Sequence, residues 1–141
     1  MGFTITANGS EYSFDGGMGG FMSLRNNIAL AFDKEFGKHY ETLRFCHSKE
    51  DYRLFNLITD KILSADRFSE KDADIIEFLF ASDCEGSISH KTCKKIYNLI
   101  KDIDFNGKIF TYAAYSDGRD YEHFKKFLLE CYSHRRKMRW R

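Results

Sequence analysis

The chain has 141 residues, 22 Lys and Arg against 21 Asp and Glu, 43% hydrophobic and 16% aromatic content, no proline and four cysteines. Such a chain is expected to form one domain over 1–141 whose core needs neither disulfide nor metal, and the composition excludes disordered, collagen-like and low-complexity classes. No apolar run approaches the ~20 residues that cross a bilayer and the first ten residues lack the basic start of a secretory leader, so the expectation is a cytoplasmic protein with reduced thiols, no membrane association and no cofactor.

Phe3, Ile5 and Ala7 alternate before Asn8-Gly9, and Tyr12 and Phe14 follow it, which predicts a hairpin about an Asn-Gly turn. Asp15-Gly16-Gly17-Met18-Gly19-Gly20 is then predicted to end the strand. Phe21, Leu24, Ile28, Ala31, Phe32 and Phe36 recur at three- and four-residue steps, predicting one helix closed by Gly37 as a left-handed cap. Ser48 and Ser69, each followed three residues later by an aspartate, predict two further helix starts. Their expected buried stripes are Leu54, Phe55, Ile58 and Ile62, and Ile75, Ile76, Leu79 and Phe80. Ser89 predicts the cap of a helix buried along Cys93, Ile96, Tyr97, Ile100 and Ile103 and ended by Asn106-Gly107. Residues 109–115 fit a short strand or a packed loop equally. A last helix is predicted after Asp117-Gly118, with Tyr121, Phe124, Phe127, Leu128 and Cys131 on one face, and residues 137–141 alternate as a closing strand. The expected fold is α+β, a small antiparallel sheet formed by the N-terminal hairpin and the C-terminal strand and packed against about five helices.

Glycines leading into a helix N-terminus let an anion approach unpaired amides at the positive end of the helix dipole. Gly17, Gly19, Gly20, Ser23 and Arg25 form such a candidate group, with Arg119, Arg135 and the Tyr115 ring as further partners for a phosphate and an aromatic base. The tract lacks Gly-Lys-Ser/Thr and a parallel βαβ setting, so it is neither a phosphate loop nor a dinucleotide fingerprint, and a flexible strand-to-helix connection competes with the anion reading. Residues 82–92 echo a calcium loop about Gly86, but Ala81 and Thr92 stand where the terminal ligands belong; a metal-free turn with Gly86 at positive φ is expected.

The His90/Cys93, Cys131/His134 and Cys46-His47 pairs match no familiar zinc spacing, and Cys93 and Cys131 lie on apolar stripes, which predicts buried free thiols and no metal. Arg135, Arg136, Lys137, Arg139 and Arg141 leave 17 basic against 21 acidic residues elsewhere, a balance of −4. With Trp140 and Tyr132 this segment offers phosphate contact and stacking, yet its alternation reads as the solvated face of a strand, and nucleic acid is not the expected partner. The sequence shows no nucleophile elbow, His-Glu metal motif or paired-carboxylate signature, so the reading leans away from an enzyme without closing that question.

Met1-Gly2-Phe3, Tyr12-Ser13 with the glycines after it, Phe21, and Ser82-Asp83-Cys84-Glu85-Gly86 with Cys93 beyond resemble segments of short uncharacterised bacterial and phage proteins, over roughly a third of the positions. The resemblance implies a bacterial or phage-infected cell. With the glycine tract it leads to an expected function: non-enzymatic binding of a phosphorylated small molecule or nucleotide, in a phage setting by an antagonist of host defence that sequesters a nucleotide signal. The alternative is a protein–protein inhibitor or adaptor with no small ligand, and a homo-oligomer is compatible with either.

Overall fold

Alternation at the N-terminus does produce a hairpin. In the computed structural model, which describes residues 2–113 and 115–141, β1 (Gly2–Thr6) pairs antiparallel with β2 (Phe14–Gly17), Ile5 opposite Phe14 and Phe3 opposite Gly16. β2 runs into the glycines instead of stopping before them. An added Cβ on Gly16 would lie 2.5 Å from the Phe110 carbonyl oxygen and 2.6 Å from the Phe3 ring, so the bare backbone is what lets both neighbours close on this strand.

The C-terminal segment forms β4 (Met138–Trp140), which pairs antiparallel with β1, Ile5 opposite Trp140, and on its other side with β3 (Gly86–Ile88). The sheet order is β2-β1-β4-β3. β3 is a correction to the sequence reading, which makes these residues part of a turn between helices. Among the glycines positive φ falls at Gly9, Gly107 and Gly118 and not at Gly86, whose missing side chain instead makes room for the Trp140 indole packed directly over it. One sheet face carries the buried Phe3, Ile5, Phe14, Ile88, Met138 and Trp140, while Thr4, Thr6, Asp15, Ser87 and Arg139 point the other way.

Among the described residues six α-helices accompany this sheet, giving an α+β fold: α1 (Met18–Phe32), α2 (Lys34–Glu41), α3 (Lys49–Leu63), α4 (Ala73–Phe80), α5 (His90–Ile100) and α6 (Arg119–Ser133). The single helix predicted through Phe36 is thus two. Asp33 is extended at φ −160° and ψ 127°, and its carboxylate accepts from the Phe36 N–H at 2.9 Å as the N-cap of α2. Arg67 grips this corner, 2.8 Å from Asp33 and 2.6 Å from Glu35, and holds the Asp33 carboxyl below the usual carboxylate range. Gly37 lies within α2 and caps nothing; an added Cβ would stand 2.5 Å from Leu30 Cα, so glycine allows α2 to fold back on α1.

The serine signals hold. Ser48 and Ser69 form capping boxes with Asp51 and Asp72, the second opening a single 3-10 turn ahead of α4, and Ser89 caps α5 by accepting from Thr92 N–H. Gly118 at φ 84° stands immediately before α6. Among the described residues of 109–115 there is no strand: Asp120, buried in the first turn of α6, accepts from the backbone N–H groups of Phe110 and Thr111 and from the Thr111 hydroxyl at 2.8–3.1 Å, fixing a packed loop. Met1 and Ala114 lie outside the described residues.

Two predicted stripes are only partly buried. In α3 Phe55 and Thr59 are buried and Ile62 packs partly against the core, while Leu54 and Ile58 are each 47% exposed; in α4 Phe78 is buried and Phe80 is 40% exposed. The apolar arc of α3 is wider than the surface of α2 that covers it. At that contact His39 stacks on Phe55 with ring centroids 4.2 Å apart, its Nε2 2.8 Å from Thr59 Oγ1 and 3.1 Å from the Phe55 carbonyl. Burial lowers the His39 pKa, with the Phe55 bond opposing. Below the unfolded value of about 6.5 the unfolded chain therefore binds the extra proton first, so the contribution of this contact is complete above pH ~6.5 and is lost as pH falls toward the folded pKa. Urea midpoints measured at pH 7.5 and pH 5 should drop on acidification by more in the wild type than in His39→Gln.

All four cysteines are free. Cys93 on α5 and Cys131 on α6 are fully buried, and the neighbouring Cys131 thiol together with burial pushes the Cys93 thiol up; Cys84 is exposed and Cys46 half-buried. Among the described residues no helix is long and apolar enough to cross a membrane, and no group of three or more His, Cys, Asp or Glu is placed to hold a metal ion.

Candidate functional site

Ser23 and Arg25 stand two residues apart on α1, which is about 200° around a helix, so they cannot face one ligand from the same side. Ser23 is exposed, whereas Arg25 is turned inward on the stripe of Phe21, Leu24 and Ile28 and is only 6% exposed. Its Nη1 donates to the Ala81 carbonyl at 2.9 Å and its Nη2 to the Ser82 carbonyl at 3.4 Å. These carbonyls lie just past the last residue of α4, where unsatisfied acceptors and the helix dipole concentrate negative charge. Tyr40 reinforces the same helix end, its hydroxyl donating to the Leu79 carbonyl at 2.6 Å.

The guanidinium sits 4.3 Å from the Phe21 ring centroid, 5.3 Å from Phe78 and 5.7 Å from Trp140, an aromatic cage for a cation. No carboxylate forms an ion pair with it among the described residues. Burial lowers its pKa, against opposing contributions from Tyr40 and Asp83. Its Nε is buried and has no hydrogen-bond partner. A buried donor left unmatched is costly, so this Nε calls for an acceptor from a bound ligand or an ordered water.

Beside this arginine opens a cleft of about 250 Å³ whose walls include Arg25, Phe21, Met22, Tyr40, Phe80 and Asp83. One cation, a hydroxyl and apolar walls suit a ligand that combines an acceptor or anionic group with a flat apolar body. Asp83 sets a limit, because its charge disfavours a ligand bearing many negative charges.

The other candidate residues are distributed over three places. Gly17 precedes α1 in extended conformation, Gly19 is exposed with open space around it, and Gly20 lies against the Phe110 carbonyl, so part of the tract serves packing. Met18 joins the cleft wall, but none of these glycines does. Tyr115 and Arg119 meet, the guanidinium 3.8 Å from the ring centroid, and Arg119 is also paired with Asp117 at 2.7 Å on the exposed surface. Arg135, in the left-handed region at φ 53°, borders a separate depression with His90, Lys91 and Tyr132. The structure therefore groups Gly17, Gly19 and Gly20, groups Tyr115 with Arg119, and places Arg25 and Arg135 each apart from them.

Sequence reasoning missed Tyr40, Met22 and Phe80. The available signal was Arg25 itself: at four residues after Phe21 and three before Ile28 it interrupts a buried stripe, and a charge there must be satisfied in the interior. Comparison of the chain with protein-family models, curated proteins and solved structures finds no match.

Proposed function

We propose that this is a non-enzymatic binding protein for a small anionic compound with an aromatic or apolar body, a phosphorylated small molecule or mononucleotide, seated against Arg25 in the cleft between α1 and the C-terminal end of α4. The observation that carries this reading is the buried guanidinium, with no carboxylate ion-pair partner among the described residues and an unmatched Nε, in the wall of an open cleft. The cleft volume suits a single ring with one charged group, and Asp83 argues for a ligand of low negative charge. In a phage setting, which the sequence resemblance implies, the same chemistry would serve to sequester a nucleotide signal of host defence. A protein–protein adaptor is the second reading, favoured by the exposed apolar residues Phe45, Leu54, Leu57 and Ile58.

A thermal-shift and calorimetry panel of inorganic phosphate, phenyl phosphate, nucleoside monophosphates and cyclic nucleotides tests the proposal. A ligand at 100 times its Kd adds about 2.7 kcal/mol to stability. Arg25→Met should abolish the effect, and Met22→Trp, which fills the cleft without touching the caps of α4, should do the same in a protein of near-normal stability. Absence of binding by every compound, or equal binding by Met22→Trp, overturns the proposal.

A further inference from the structure

α3 buries Phe55 and Thr59 fully against the rest of the domain and packs Ile62 and Leu63 partly against it. On another side it presents Leu54 and Leu57, 47% and 53% exposed, flanked by Ile58 at 47%. Glu50 and Lys61 extend this line in both directions, so Glu50, Leu54, Leu57 and Lys61 follow one another at steps of four, three and four residues. That is the seam spacing of a two-helix coiled coil, with an apolar centre and opposite charges at its two ends. Arg53 and Asp60 occupy one flank at matching positions a heptad apart. All four charged residues are exposed.

We infer that this face binds a second copy of the chain, the two α3 helices packing antiparallel about a two-fold axis. In that orientation Leu54 of each copy meets Leu57 of the other, forming two apolar layers. Glu50 of each copy meets Lys61 of the other at both ends, and Arg53 meets Asp60 along the flank. The parallel arrangement sets Glu50 against Glu50 and Lys61 against Lys61, so charge selects the antiparallel one. Glu50 already pairs with Arg53 within the helix, and in the dimer it is shared between Arg53 and the incoming Lys61. Because the surface is isologous, each contact occurs twice, and a short helix achieves a closed assembly with no open edge. One helix per partner is a small interface, so association is expected to be weak.

Sedimentation equilibrium on the full chain from low micromolar to millimolar concentration gives the test. The wild type should pass from monomer to dimer and stop there. Leu57→Glu should remain monomeric throughout with an unchanged circular dichroism spectrum and melting temperature, since Leu57 lies outside the core. Glu50→Lys alone and Lys61→Glu alone should each weaken association about fivefold or more, and the double variant should restore it to within about twofold, because reversal at both positions recreates the pairs. A wild type that stays monomeric, a Leu57→Glu variant that dimerises normally, or a double variant weaker than both singles overturns the inference.

Discussion

Trp140→Ala should destabilise the protein by about 3–5 kcal/mol, a large part of the 5–15 kcal/mol that holds a domain folded. The indole is 2% exposed and touches elements from across the molecule. Its ring packs 5.8 Å from Phe21 of α1 and 5.4 Å from Phe78 of α4, it lies over Gly86 of β3, and its Nε1 donates to the Ser82 carbonyl at 2.8 Å. Truncation would leave a cavity at the junction of sheet and helices and remove one wall of the Arg25 cage. Trp140→Phe keeps much of the packing and loses the hydrogen bond, so it should cost less than Trp140→Ala. Arg139→Gln should change stability by no more than about 1 kcal/mol, because that side chain lies on the solvent face. Urea denaturation of the three variants checks the order, and a Trp140→Ala loss below that of Arg139→Gln would refute the assignment of β4 to the core.

The glycine tract divides sharply between neighbouring positions. Gly20→Ala is expected to lose about 1–3 kcal/mol or more, since the new methyl group runs into the Phe110 carbonyl and a backbone atom has no rotamer by which to retreat. Gly19→Ala meets nothing within 4 Å and should be neutral or stabilising by up to about 1 kcal/mol, the helix propensity gained by replacing glycine. Thermal melts of the two variants separate packing from flexibility as the reason for the tract: equal and small effects would mean that the approach of residues 108–113 to α1 is loose.

Local signals in the sequence carried most of the architecture. Caps at Ser48, Ser69 and Ser89, the Asn8-Gly9 turn and the alternation ending at Trp140 are each decided by residues within a few positions, and each has its expected place. What stayed illegible depends on partners distant in the chain. Gly37 carries the mark of a cap, and only the approach of Leu30 shows it to be a packing glycine inside a second helix. Gly86 carries the mark of a turn, and only Trp140, more than fifty residues later, explains it. The candidate site followed the same rule. Arg25 was visible as a charge, but its partners at Ala81 and Ser82 are backbone carbonyls, which no side-chain pattern reveals.

The position of β4 between β1 and β3 bears on the order in which the protein is made. Ile5 and Thr6 pair with Trp140 and Arg139, and Thr4 exchanges backbone hydrogen bonds with Arg141, so the central seam of the sheet joins residues from opposite ends of the described chain. Closing so long a loop is a late and entropically demanding step. On the ribosome the helices can form as they emerge, while Phe3 and Ile5 wait with one strand edge unpaired until residues 138–140 have left the exit tunnel. Nascent chains stalled before that point are the species most exposed to aggregation and chaperone capture, and in the finished protein the amides of β1 and β4 should exchange with solvent as one cooperative unit.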